Sequence, residues 1–472
     1  MVCQRVPRSI QRPMVTAHSA RCATPHGFTR RAGLALTCLL WACATTGRAN
    51  DSDVQQSAFG AVVGAASDAG APTCSPTESL FATKARCTLD VTANSRLPVC
   101  FTWSKVEPEG AVCGDGSQYK FFVNYSPTSD NLLIMFEPGG ACWDYESCTG
   151  GERGAANPHG IADDHMLKNE FLNLLRRAPD NPVSDWNMVF VSYCTGDIHA
   201  GDKLATYPDP AGGPPLTFHH AGLDDTQKVI EYLQPLFPRV PQLLVTGCSA
   251  GGIGALQNYA AIRTSLAGTQ CGYLLNDSGP AFHSDGPSKP VHSKIREAWN
   301  LDSYLQRAAT LLGVDVAPLQ TDFGSINTAL ADRFPTDRLA FTAYRMDFNY
   351  SLYEYQRFYP DATGDEIHAL WWQDMQALMQ SYDSRPNLAY FVPYFRSDNC
   401  SHCVSIPPIG HDTQTVLTNP WLGSEIQAQD INLRQFTTRL LDDKQPLRSY
   451  VEAPVAGEDF TQEQSAKCLR SK

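Results

Sequence analysis

Beyond its first fifty residues the sequence has no cluster of lysine and arginine. That absence excludes a nucleic-acid binder, because neutralising phosphates requires such a patch. The apolar run at 32–44 spans 13 residues, contains a threonine, and is too short to cross a bilayer comfortably. No second C-x-x-C accompanies Cys400-Ser401-His402-Cys403, and structural zinc sites usually take two such pairs. Internal repeats are also missing. What is present, 43% hydrophobic residues with 18% charged, excludes wholesale disorder, collagen, a coiled coil and a multi-span membrane protein. The 472 residues carry a formal charge of -12.

The first 49 residues contain no Asp or Glu but hold Arg5, Arg8, Arg12, Arg21, Arg30, Arg31 and Arg48. Basic residues followed by a short apolar run form an export signal, and Gly47-Arg48-Ala49 offers a small-x-small cleavage site before Asn50. Cleavage there removes seven arginines and leaves a charge of about -19. Thr29-Arg30-Arg31 resembles a twin-arginine signal. Leu40-Trp41-Ala42-Cys43 resembles a lipoprotein box despite its unusual Trp, which keeps a lipid anchor at Cys43 open. Met14 is an alternative start. The expected location is exported: secreted, periplasmic or an outer-surface lipoprotein, with no membrane span after signal removal. Twelve cysteines follow the signal, an even number that an oxidising compartment lets pair.

Residues 50–73, rich in Ala, Gly, Ser and Asp, read as a flexible tether. Residues 74–472 then form one α/β domain, with a disulfide-tied extension over about 74–113. Strands are expected at 120–125, 131–136, 188–194, 242–246, 272–275, 339–344 and 388–395. Helices are expected at 164–177, 222–236, 254–265, 293–312 and 365–381. Several strands lack polar alternation, as in a mostly parallel sheet covered on both faces, and functional residues then belong at the carboxyl ends of its strands.

The sharpest motif is Gly247-Cys248-Ser249-Ala250-Gly251, lying between a strand and a helix. It has the context of a nucleophile elbow, where small residues tolerate a strained turn. Another Gly-rich strand end, Glu137-Pro138-Gly139-Gly140-Ala141-Cys142-Trp143, can aim backbone amides at a developing oxyanion. Gly139, Gly140 and Ala250 are the expected donors; the alternative is a turn stapled by Cys142 and Cys148. His402 follows the last strand and is the expected base, with His411 as competitor. Asp347 follows the strand at 339–344 and suits the acid, with Asp277 as rival.

These segments resemble the pectin acetylesterase family, which includes Notum-like carboxylesterases. The match rests on Phe136 to Trp143, Gly247 to Gly252, Asp185-Trp186-Asn187, Tyr193-Cys194-Thr195-Gly196-Asp197 and His402-Cys403. It spans about residues 102–405. The resemblance implies an α/β-hydrolase fold and ester hydrolysis through Ser249, Asp347 and His402, without cofactor or metal. Pro138 stands where many relatives carry Gly, and 345–350 matches the family's acid segment less well than 247–252 matches its serine segment.

The function expected is a serine esterase that cleaves acyl groups, chiefly acetyl, from a carbohydrate, acting as a monomer. The strong negative charge is a poor match to polyanionic pectin, so neutral acetylated glycans and lipid esters stand as alternatives. A non-catalytic carbohydrate-binding protein is the second class, with Trp143, Trp186, Trp371 and Trp372 as stacking surfaces. Pocket shape discriminates: a shallow cleft favours acetyl on a polymer, a deep apolar chamber a longer acyl chain.

Overall fold

The computed structural model describes residues 74–454, apart from 77–84, 91–95, 151–153, 170–172, 179–180, 396–397 and 406–425. The expected signal at 1–49, the tether at 50–73, Met14, Cys43, His411 and Cys468 lie outside the described residues. Contacts divide the chain into two units, 1–63 and 64–472, and all that follows concerns the second.

Its centre is a nine-stranded sheet. In chain order it contains β1 (Trp103–Val106), β2 (Phe121–Asn124), β3 (Leu132–Phe136) and β4 (Asn187–Val191). After a separate hairpin of β5 (Lys203–Tyr207) and β6 (Leu216–His220) come β7 (Val240–Cys248), β8 (Thr269–Asp277), β9 (Arg338–Thr342) and β10 (Leu388–Val392). A second small pair, β11 (Gln427–Ala428) and β12 (Ile431–Asn432), precedes the last sheet strand, β13 (Tyr450–Val451). The spatial order is β1-β2-β4-β3-β7-β8-β9-β10-β13. Only the pairings of β1 with β2 and β2 with β4 are antiparallel; from β4 to β13 every neighbour is parallel. This is the α/β-hydrolase arrangement. All five residues of β3, β4, β9 and β10 are buried, so both faces are covered, which explains the continuous apolar runs in the sequence.

The helices that matter for the site are α1 (Tyr145–Cys148), α2 (Met166–Asn169), α3 (Gly222–Leu233), α4 (Ala250–Ser265), α5 (Lys289–Trp299), α6 (Leu301–Leu312), α7 (Val316–Thr321), α8 (Ser325–Arg333), α9 (Phe348–Tyr355) and α10 (Gly364–Asp383). Two expected helices differ. Within 164–177 the described residues show α2 and, beyond 170–172, a 3-10 turn at Asn173–Leu175, where the Asn181 side chain donates to the carbonyls of Leu174 and Arg176. The expected helix at 293–312 is two, α5 and α6, divided at Asn300 in the left-handed conformation (φ 53°), which Asn tolerates better than most residues. α10 starts on a capping box: Thr363 Oγ1 accepts from the Glu366 amide and Glu366 Oε2 accepts from the Thr363 amide.

Five disulfides join Cys74–Cys271, Cys87–Cys100, Cys113–Cys194, Cys142–Cys148 and Cys248–Cys403, and Cys400 is disulfide-bonded as well. With Cys400 and Cys403 so engaged, the C-x-x-C segment has no thiolate to offer a metal. Trp186 and Trp371 belong to the core, at 4% and 0% exposure, and cannot serve as sugar platforms.

Burial also sets a pH response. It lowers His199, His220 and His292 to about 4, far below an ordinary imidazole. Between pH 4 and about 6.5 the unfolded chain therefore binds more protons at these sites, and their contribution to stability is lost as pH falls through that window. Asp197, raised to about 6 by burial, works in the opposite sense. The comparison must accordingly be between variants. His220→Gln is expected to reduce the pH slope of the urea-unfolding free energy by up to about 1.4 kcal/mol per pH unit between pH 4.5 and 6, relative to the parent. An unchanged slope would contradict the burial argument.

Candidate active site

β7 runs directly into Ser249, which takes φ 57° and ψ -124° before α4 begins at Ala250. A serine is held in this unfavourable conformation because its surroundings leave no alternative. A Cβ on Gly251 would stand 2.1 Å from the Phe136 carbonyl oxygen, and one on Gly247 would stand 2.3 Å from that of Gly251. Only glycine lets β3, β7 and α4 approach so closely. The Ser249 amide donates to the Asp277 carbonyl at 2.8 Å, and its own carbonyl accepts from Gly252 and Ile253. The Ala250 amide lies in the first turn of α4, where backbone donors lack intrahelical acceptors and the helix dipole favours negative charge.

The Gly-rich segment after β3 is anchored on every side. Glu137 Oε2 accepts from the Tyr193 amide at 2.7 Å, and Oε1 lies 2.8 Å from His165 Nε2. Carbonyl oxygens of the segment accept from Tyr193 Oη (Gly140), Tyr353 Oη (Ala141) and Trp299 Nε1 (Cys142). The Cys142–Cys148 link closes the turn, so staple and amide-presenting loop coexist. Gly140 and Ala250 line the same pocket as Ser249, whereas the Gly139 Cα packs toward Ala156 and Tyr193.

His402 lies beyond β10, after a 3-10 turn at Asp398–Ser401, and is 4% exposed. Its Nδ1 is 2.8 Å from Asp347 Oδ2. Asp347, fully buried, caps α9: its Oδ1 accepts from the Tyr350 amide at 2.8 Å. One carboxylate oxygen thus faces the imidazole and the other is fixed by a helix N-terminus. Asp277 does something else. Its Oδ1 accepts from Ser278 Oγ, Thr342 Oγ1 and the Val404 amide, and its Oδ2 from the amide and hydroxyl of Ser405. Burial pushes this carboxyl up, against the pull of those bonds. Asp277 ties down the segment after His402 and makes no contact with the imidazole. Cys248–Cys403 joins the residue before Ser249 to the residue after His402.

Ser249 and His402 open onto one pocket of about 970 Å³, its mouth included. The wall is mainly apolar, with Ile198, Ile253, Val291, Ile295, Trp299 and Leu305 contributing, and Trp143 lies at one side. Sequence reasoning missed three things: the anchoring role of Glu137, that of Asp277, and the pair His292 and Glu354 in the pocket wall. Glu137 carried a signal, as an acid inside the Gly-rich motif. His292 and Glu354 carried none, since each belongs to an otherwise ordinary amphipathic helix.

The strand order places a strained serine after β7 and a carboxylate-held imidazole after β10, at the carboxyl end of the parallel strands. Residues 93–310 match the family described as Pectinacetylesterase. The chain is similar to pectin acetylesterase 4 of Arabidopsis thaliana, 29% identical over 186 residues, covering 37% of this chain and 43% of that one. It is also similar to the palmitoleoyl-protein carboxylesterase Notum of Drosophila melanogaster, 26% identical over 202 residues, covering 40% and 29%. The chain thus spans less than half the length of these relatives. A solved structure of the Wnt deacylase Notum from Drosophila aligns over 74% of this chain and 96% of its own, at 19% identity and a TM-score of 0.49.

Proposed function

We propose that the protein is a carboxylesterase working through an acyl-enzyme on Ser249. The observation that carries this reading is that Ser249 and the Asp347-paired His402 open onto one apolar pocket beside Gly140 and Ala250. His402 takes the Ser249 hydroxyl proton as the oxygen attacks the ester carbonyl, then returns it to the leaving alcohol. Water, activated by the same imidazole, attacks the acyl-enzyme and releases the acid. Asp347 holds the imidazole in the tautomer with hydrogen on Nδ1 and stabilises its cation. The amides of Gly140 and Ala250, with Gly139 assisting by shaping the turn, receive the oxyanion. None of these steps calls for a metal or cofactor.

The apolar wall favours an acyl chain longer than acetyl. Acetyl on a neutral carbohydrate is the second reading, supported by the pectinacetylesterase match over 93–310. A p-nitrophenyl ester series separates them. We expect kcat/KM to rise about tenfold or more from acetyl to medium-chain esters, since each added methylene in a fitting apolar pocket can contribute that order. An optimum at acetyl would favour the second reading. The proposal has the chain exported, by cleavage after Ala49 or through a lipid at Cys43, and acting as a monomer; the disulfides support an oxidising compartment.

A further inference from the structure

We infer that Glu354 and His292 form a polar subsite within the acyl pocket, which recognises a hydroxyl carried by the acyl group away from its ester carbonyl. The inference rests on the esterase reading above and names the substrate class for the same site. Glu354 stands on α9 and His292 on α5, at 7% and 8% exposure, and both line the pocket with Ser249 and His402. The Glu354 carboxyl makes no hydrogen bond to any described residue. His292 Nε2 lies 3.7 Å from its Oε1, which is wider than a hydrogen bond. His292 is oriented from behind: Nδ1 lies 3.1 Å from Ser284 Oγ, and the Phe323 ring packs on the imidazole with centroids 5.1 Å apart.

Burial, with the Asp374 charge adding to it, pushes the Glu354 carboxyl well up, and burial lowers His292 to about 4. Burial thus disfavours charge on both groups, which favours a carboxylic acid beside a neutral imidazole, a paired donor and acceptor set. Native proteins leave few buried polar groups unpartnered. A hydroxyl seated at the 3.7 Å gap could donate to one group and accept from the other. Gln257, whose Oε1 has no hydrogen-bond partner, lies on the same wall. An unsubstituted acyl chain would leave all of these groups unsatisfied, and sites built to bond a substrate hydroxyl discriminate strongly against analogues that lack it. The wall offers both aliphatic and aromatic surface, so the hydroxyl can sit on either kind of acyl group.

Matched methyl esters provide the test: ω-hydroxyalkanoates against alkanoates of equal length, and 4-hydroxycinnamate against cinnamate. In the parent protein the hydroxylated member of at least one pair should be favoured in kcat/KM by about tenfold to a thousandfold. Glu354→Leu should collapse that ratio toward one, and Glu354→Gln, which still donates and accepts, should retain most of it. A parental ratio of one in both pairs, or an unaltered ratio in Glu354→Leu, would overturn the subsite. Thermal melting accompanies each variant; if Glu354→Leu fails to fold, His292→Phe takes its place. Calorimetric binding of the four free acids to Ser249→Ala gives a second readout, in which the hydroxylated acid should bind about tenfold or more tightly. If no ester is cleaved, the esterase reading falls while the binding ratio still decides the subsite.

Discussion

Ser249→Ala is expected to lower kcat on a p-nitrophenyl ester by on the order of 10⁴ to 10⁶ and to abolish covalent labelling by a fluorophosphonate. The loss is large because the nucleophile and base act as one unit, so that removing either forfeits nearly all covalent catalysis. What survives is the contribution of the oxyanion donors and substrate binding, on the order of 10³ over water. The substitution removes one hydroxyl from a half-buried position whose amide and carbonyl remain bonded to Asp277, Gly252 and Ile253, so the melting temperature should hardly move. Parental labelling with unimpaired hydrolysis in the variant would place the nucleophile elsewhere; absence of labelling in the intact parent would remove the esterase reading altogether.

The second large effect separates two aspartates, one ending β8 and the other capping α9 after β9. Asp347→Asn should reduce kcat by about 10⁴, because an amide facing Nδ1 stabilises the wrong tautomer and cannot stabilise the imidazolium. The α9 cap survives, since Asn also accepts from the Tyr350 amide, and folding should be close to parental. Asp277→Asn should show the reverse pattern. Its carboxylate accepts five hydrogen bonds from Ser278, Thr342, Val404 and Ser405, and an amide can satisfy only part of that set. A stability loss of about 3 kcal/mol is expected, with kcat reduced less than about tenfold in protein that remains folded. If the large loss of kcat instead follows Asp277→Asn, the two roles must be exchanged.

The unequal legibility of these residues has a physical origin. Ser249 was readable because its neighbours must be glycines: the approach of β3 and α4 to β7 leaves no room for a Cβ, and that constraint is written locally. The parallel sheet was readable for a similar reason, as strands buried on both faces need uninterrupted apolar runs. The acid was not decidable, because Asp277 and Asp347 stand at or beyond the carboxyl ends of neighbouring strands and only the path of the chain after β10 determines which one meets His402. The break between α5 and α6 depends on a single residue, Asn300, whose preference for the left-handed region is too weak to announce a boundary. The hairpin of β5 and β6 was missed because it is short and only partly buried, with little apolar pattern to reveal it. The pocket wall was invisible for a different reason. It is assembled from faces of several helices remote in sequence, so its polarity is a property of their packing.

The link between Cys248 and Cys403 bears on how often the site is competent. Residues 155 apart in sequence are joined beside the serine on one side and beside the imidazole on the other. Without that bond, fewer ties hold the segment carrying His402, among them the bonds to Asp277, Ser278 and Asp347, and its opening would separate base from nucleophile. With it, the imidazole is a tethered reagent: its local concentration at the hydroxyl is fixed by a few bonds, and the entropy of closing a long loop is spent once, during oxidative folding. The covalent bond thus does for this serine and histidine what a single short turn would do for two residues adjacent in the chain.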